Sequence, residues 1–398
     1  MQLAERLTRL GTETAFAVSG AAAAWAAKGH EVYPFHLGDM NIPTPANIVE
    51  AMNKAIRDGY TGYCPGAGIA PLRAAIAEDV GRKRGVSYAP DQVSVQPGGK
   101  PVISKFLAAV VNPGDVVLYP NPGYPIYESQ IEYLGGVAVP YGFVETRTGF
   151  ALDMDGMRRA ITSKTRVLVY NNYQNPTGAR SSQREVEDLA ELALRHDLWV
   201  LTDDAYYENR YTNEPPISIV NLPGMQERSM ILYTCSKRFA MTGWRCGAAI
   251  GPQAAINAIN KMNTNIESCT PHFIQYAALA GIRGSEDGPA GILRELQARR
   301  DAAVAGLNAI EGISITAPES TFYLFPNVTR IMERKGMTEV NMLMDEALVK
   351  ADVSFCTRKH FGRVAPGETQ QYIRLAYSGL EVPRIRAGLE RLKEYFED

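Results

Sequence analysis

A lysine preceded by small hydroxyl residues and followed by an arginine stands out among the groups that could do chemistry. The stretch Tyr233-Thr-Cys-Ser-Lys-Arg-Phe-Ala-Met-Thr-Gly-Trp-Arg-Cys-Gly247 puts Thr234 and Ser236 just ahead of Lys237, with Arg245 eight residues beyond it. The apolar run 229–233 before it reads as a buried strand, so Lys237 should project from the carboxyl edge of a sheet. A primary amine forms a Schiff base with an aldehyde, and hydroxyls with a guanidinium suit a phosphate. Together these are the requirements of a pyridoxal phosphate site. A Ser-Lys pair alone is more often a solvated surface feature, so the reading depends on other segments.

Two further strand-like runs end in polar groups. After 166–170 comes Asn171-Asn-Tyr-Gln-Asn-Pro-Thr-Gly178, and after 199–202 comes Asp203-Asp-Ala-Tyr-Tyr-Glu208. Open α/β sheets bind ligands beyond the carboxyl ends of their strands. Taken singly, Asn-Pro-Thr-Gly is a turn and an acid after a strand is a helix cap. Gly98-Gly99-Lys100 lies between a short strand and a helix, where free N–H groups and the helix dipole meet an anion. It is not a P-loop, because Ser94 stands five before Gly99 and no Ser or Thr follows Lys100. No G-x-G-x-x-G is present to suggest a dinucleotide fold.

These groups need elements to hold them. Thr44-Pro45 reads as the N-cap and first position of a helix ending near Gly59, followed by helices over 71–84 and 100–111. Strand-like runs fall at 92–96, 116–119, 137–140, 166–170, 199–202, 230–233 and 248–250, with a helix over 184–195. Alternation of this kind predicts an α/β fold with a mostly parallel sheet covered on both faces. Beyond Gly284 a charged helix over 292–310 leads to short strands at 313–316, 322–325 and 372–376, with helices over 338–350 and 383–396. The division expected is a large domain over 46–285 and a small α+β domain from 1–45 and 286–398.

Length and composition agree with two domains of a soluble globular protein: 398 residues, 45% hydrophobic and 21% charged. A net charge of −2 offers no electrostatic reason to expect nucleic acid or an anionic membrane as partner. The five cysteines, Cys64, Cys235, Cys246, Cys269 and Cys356, are scattered and form no Cys/His cluster. That points to a reducing compartment and away from a structural zinc or other metal site. Residues 15–27 superficially resemble a signal peptide, but they are alanine-rich and run straight into Lys28, His30 and Glu31. They read as an amphipathic arm or first helix, and no run has the length of a membrane span. A cytoplasmic location is expected.

Asn175-Pro-Thr-Gly178 and Ser236-Lys-Arg-Phe-Ala-Met-Thr-Gly-Trp-Arg245 resemble the class I/II aminotransferases, the aspartate-aminotransferase-like branch of the fold-type I pyridoxal phosphate enzymes. The resemblance extends from Leu37-Gly-Asp-Met-Asn-Ile-Pro-Thr-Pro45 to Tyr372-Ile-Arg-Leu-Ala376. It implies fold type I, pyridoxal 5'-phosphate, and small-molecule amino acid and 2-oxo acid substrates. By that match Lys237 carries the cofactor and moves the substrate Cα proton, while Asp203 pairs with the pyridine nitrogen. Asn175 and Tyr206 match the residues at the ring's 3-oxygen, and Tyr124, in Asn121-Pro-Gly-Tyr-Pro125, the aromatic stacked on the ring. Gly98, Gly99, Lys100, Thr234, Ser236 and Arg245 match the phosphate site. Tyr63 matches a tyrosine that reaches the phosphate from a neighbouring subunit, implying a homodimer with shared active sites. On the substrate side, Arg374 matches the arginine that grips the α-carboxylate, with Gly38 and Asn175 beside it.

Departures from the family pattern fall on the substrate side: Asp39-Met-Asn-Ile42, Pro318-Glu-Ser-Thr-Phe-Tyr323 and Cys356-Thr-Arg-Lys-His-Phe-Gly362. The reaction expected is ping-pong transamination, with glutamate or aspartate as one substrate and Lys100 near its distal carboxylate. Another pyridoxal phosphate reaction on the same fold, a β-lyase or synthase, is the alternative. A non-catalytic effector-sensing domain is a third reading, and it would need a fused DNA-binding domain.

Overall fold

Seven short apolar runs line up as one sheet in the computed structural model, which describes residues 2–11 and 14–398. Met1, Thr12 and Glu13 of the expected 1–45 segment lie outside the described residues. The strands are β1 (Val93–Gln96), β2 (Val116–Pro120), β3 (Val137–Tyr141), β4 (Thr165–Tyr170), β5 (Trp199–Asp203), β6 (Ser229–Thr234) and β7 (Gly247–Ile250). Their order is β1-β7-β6-β5-β4-β2-β3. All run parallel except β7, which is antiparallel to both of its neighbours. Its sequence, Gly247-Ala-Ala-Ile250, is as apolar as theirs and carries no sign of direction.

Side chains alternate across the sheet because the strand period is two. Leu118, Leu168, Val200 and Ile231 enter one core, with helices Ala70–Arg84 and Gln183–Arg195. Val117, Val169, Leu201 and Leu232 enter the other, with helices Lys100–Val110 and Gln253–Ile266. Each such buried side chain stabilises the fold by about 1.5–3 kcal/mol. Helix ends follow local rules: Gly85 adopts φ 68° after Arg82, Lys83 and Arg84 in the last turn. Ser182 and Glu185 form a capping box.

A third core gathers the C-terminal helices Asp287–Asn308, Val340–Ala351 and Val382–Glu397 around a small antiparallel sheet. That sheet orders Tyr323–Leu324, Ile373–Ala376 and Cys356–Thr357. Tyr33–Pro34 pairs in parallel with Val353–Ser354, which carries the beginning of the chain into this part of the molecule. Tyr206 and Tyr173, from loops of the large sheet, also pack into this core, so it reaches the carboxyl ends of β4 and β5.

Several local expectations are corrected. Residues 313–316 form no strand, because the Asn308 side chain bonds the Ile315 backbone on both sides, at 2.9 Å each way. Helix Ala46–Arg57 has Pro45, not Thr44, at its N-cap; the Thr44 hydroxyl donates instead to the Ala240 carbonyl at 2.7 Å. A hairpin of Phe143–Thr146 with Gly149–Leu152 was not anticipated. Residues 15–27 do include a helix, Ala15–Ala26, which buries only Ala15, Val18 and Ala22 and leaves the rest of its alanines partly or fully exposed.

Candidate active site

The loops after β4, β5 and β6 converge on one cavity of about 340 Å³. Lys237 stands on the short helix Cys235–Arg238 directly after β6, where the chain must turn back into β7. Its Nζ donates to the Gly38 carbonyl at 3.0 Å and lies 5.0 Å from the centre of the Phe322 ring and 5.8 Å from that of Tyr206. The amine is thus held at the lip of the cavity by a backbone oxygen and aromatic faces.

Asp203 closes β5 and is buried. Its Oδ2 accepts from the Tyr127 hydroxyl at 2.5 Å, and its Oδ1 from the Ala205 N–H at 3.1 Å. Burial pushes its carboxyl up to about 6, while those two donors hold it down. Asn171 fixes the same turn, donating to the Asp203 carbonyl at 2.9 Å and accepting from the Asn175 N–H at 3.1 Å. Tyr206 sits one turn on, its hydroxyl 2.7 Å from that of Tyr323. Burial raises the Tyr206 hydroxyl well above its ordinary range, so it keeps its proton.

One end of the cavity is an anion cradle. Thr234 and Ser236 hydroxyls lie 2.9 Å apart, and the Ser236 N–H points to Thr234 Oγ1 at 3.2 Å. Gly99 and Lys100 open the helix Lys100–Val110, whose first N–H groups lack intrahelical acceptors. Arg245 lies across this end: a Cβ on Gly98 would come within 2.1 Å of its Nη2, and Gly98 has φ 98°. Only glycine allows that approach. Tyr124 forms the wall beside it, edge-on to Tyr127 with ring centres 5.8 Å apart.

The other end is built by the small sheet. Arg374 is held between the rings of Tyr323 and Phe361, at 4.5 and 4.6 Å. Its Nη2 donates to the His36 carbonyl at 2.6 Å and its Nη1 to Asn175 Oδ1 at 3.1 Å. Its buried Nε has no partner among the described residues. A buried guanidinium with an unpartnered N–H retains the capacity to donate to a carboxylate oxygen. Gly38 leaves room here, since a Cβ on it would lie 2.1 Å from the Tyr323 hydroxyl.

Of the residues expected from the sequence, Gly38, Gly99, Lys100, Tyr124, Asn175, Asp203, Tyr206, Thr234, Ser236, Lys237, Arg245 and Arg374 line the cavity. Gly98 lies just behind it, against Arg245. Tyr63 does not line it, being 88% exposed on the loop before Cys64. Sequence reasoning missed Tyr127, Tyr323 and Phe16 as lining groups. The spacing of Tyr127, three residues after Tyr124 at a helix start, was a usable signal. Phe16 had none within an alanine-rich helix.

Residues 31–380 match the family model described as aminotransferase class I and II. The chain is similar to an aspartate aminotransferase of Bacillus subtilis (strain 168), 29% identical over 398 residues, covering 100% of this chain and 99% of that protein. It is 32% identical over 401 residues to a probable aspartate/prephenate aminotransferase of Aquifex aeolicus (strain VF5), covering 100% and 99%. Among solved structures it resembles an aspartate aminotransferase from Thermus thermophilus with maleate, with a TM-score of 0.90 at 28% identity over 99% of each chain.

Proposed function

We propose, for a chain that belongs to the class I and II aminotransferases, that the cavity binds pyridoxal 5'-phosphate and serves a ping-pong amino transfer. An α-amino acid gives its amino group and a 2-oxo acid receives it. The observation that carries this reading is the gathering, in one cavity, of an amine, a buried carboxylate, a cationic anion cradle and a guanidinium with a spare donor. Bound there, the cofactor would supply an aldehyde carbon to take up the amino group and a ring to accept the electron pair left at the substrate Cα.

The chain's own residues then have separable tasks. Thr234, Ser236, Arg245 and the backbone at Gly98, Gly99 and Lys100 hold the phosphate. Asp203 holds a proton at the ring nitrogen, its buried carboxylate gaining a cationic partner. Asn175 and Tyr206 hold the ring's 3-oxygen, and Tyr124 covers a ring face. Arg374, with Gly38 leaving room, orients the substrate α-carboxylate so that its Cα–H faces Lys237. Lys237 Nζ is the base placed to take that proton and to hold it for return.

Glutamate or aspartate is the substrate we assign to one half of the cycle. Lys100 lies beside the cavity with its Nζ 5.8 Å from the ring centres of Phe16 and Tyr124. Relatives named for aspartate, and a similar structure with maleate, a dicarboxylate, support an acidic side chain.

We further assign the chain to a homodimer in which Tyr63 reaches the neighbour's phosphate, a reading that its 88% exposure supports. We assign the large domain to 46–285 and the small one to 1–45 with 286–398. A cytoplasmic location fits five cysteines that form no disulfide, and among the described residues no helix is long and apolar enough to cross a membrane.

The test is a spectral titration of the purified protein, loaded with pyridoxal phosphate, against single amino acids. Conversion of the bound aldehyde to the amine form by glutamate or aspartate is expected. No conversion by any amino acid would overturn the transaminase assignment.

A further inference from the structure

The Tyr127 side chain is fully buried against Asp203 at the wall of the cavity, and no task in the reading above falls to it. It belongs to the first turn of helix Ile126–Tyr133, so its position is set by the chain just after the Tyr124 wall. Its hydroxyl donates to Asp203 Oδ2 at 2.5 Å, and the Ala205 N–H donates to Oδ1 at 3.1 Å. Each carboxylate oxygen therefore has one fixed donor, and the carboxylate cannot rotate without breaking one of them. The direction of the bond is settled by burial, which raises the Tyr127 hydroxyl well above its ordinary range, so the phenol stays protonated and donates.

We propose that Tyr127 is a positioning residue for the cofactor's ring nitrogen: its hydroxyl fixes the plane of Asp203 and favours the ionised carboxylate that meets the ring N–H. This rests on the reading that the cavity binds pyridoxal phosphate with its nitrogen at Asp203. The same phenol also braces the stacking wall, since its ring meets Tyr124 edge-on. A side chain that merely filled the core would serve as well without its hydroxyl. A positioning role makes the hydroxyl matter only when a ring nitrogen is present.

The experiment uses the full chain stripped of cofactor, in wild type and Tyr127→Phe. Affinity is measured for pyridoxal 5'-phosphate and for its 1-deaza analogue, which has C–H in place of the ring nitrogen. Losing a hydrogen bond to a charged group should weaken pyridoxal phosphate binding by about ten- to a hundredfold. Binding of the deaza analogue should change by no more than about twofold, because it offers Asp203 nothing to pair with. In Asp203→Asn protein, adding Tyr127→Phe should likewise have little further effect on pyridoxal phosphate binding. Equal weakening of both ligands, no weakening of either, or the same loss with and without Asp203 would overturn the proposal. Failure of wild type to bind pyridoxal phosphate at all would instead remove the functional reading beneath it.

Discussion

Asn175 and Arg374, 199 residues apart in the chain, meet at 3.1 Å between Oδ1 and Nη1. One stands on the loop after β4 and the other on the small C-terminal sheet. The bond joins the group assigned to the cofactor's 3-oxygen to the group assigned to the substrate carboxylate. It leaves Arg374 Nε without a partner among the described residues, and a carboxylate entering the cavity would find the guanidinium already oriented.

Arg374→Lys should therefore reduce kcat/KM by about ten- to a hundredfold, because lysine cannot reproduce the planar fork. The loss should be similar for glutamate and alanine, which share the α-carboxylate. Steady-state kinetics on both substrates decides it, and a loss confined to glutamate would assign Arg374 to the side chain instead.

Lys237→Ala should still bind pyridoxal phosphate through Asp203 and the Arg245 cradle. Turnover should fall by at least a hundred- to about ten-thousand-fold from the missing base alone. Cofactor content by absorbance and rates by coupled assay separate the two effects. Near-normal turnover would remove the central assignment.

Asp203 should destabilise the protein when no cofactor is bound. Its carboxyl is raised from 3.8 to about 6, so between those values the folded chain keeps a proton that the unfolded chain has released. The contribution of this group to stability falls as pH rises through that window, by about 3 kcal/mol in all. Asp203→Asn protein stripped of cofactor should melt higher than wild type at pH 8, with the advantage vanishing below about pH 4. Parallel melting curves at every pH would contradict a strained, buried carboxylate.

If Tyr63 acts across a dimer, Tyr63→Phe and Lys237→Ala chains should complement one another. A mixed dimer has one site with both residues intact. Activity recovered on mixing after mild dissociation is the expected result, and none would tie Tyr63 to its own chain.

An acidic substrate predicts that kcat/KM for glutamate exceeds that for alanine by about ten- to a hundredfold, the worth of a charge-assisted contact. Lys100→Ala should narrow that ratio. Equal values for the two amino acids in wild type would discard the acidic preference and leave transamination untouched.

The sequence by itself determined the chemistry-bearing groups and their place at strand ends. Asn175, Asp203 and Lys237 follow apolar runs whose period and length mark buried parallel strands, and ligands gather beyond such ends. Local rules also carried the helix stop at Gly85 and the cap at Ser182, because those depend on residues only a few positions apart. Tertiary structure decided what depends on distant partners. The reversed direction of β7, the loss of a strand at 313–316 to the Asn308 side chain, and the bond from Thr44 to Ala240 all arise that way. So do the contacts that tune the site. Tyr127 reaches Asp203 across 76 residues and Tyr323 reaches Tyr206 across 117. Side-chain periodicity reports which face of an element is buried, but not which group of another element it will meet there.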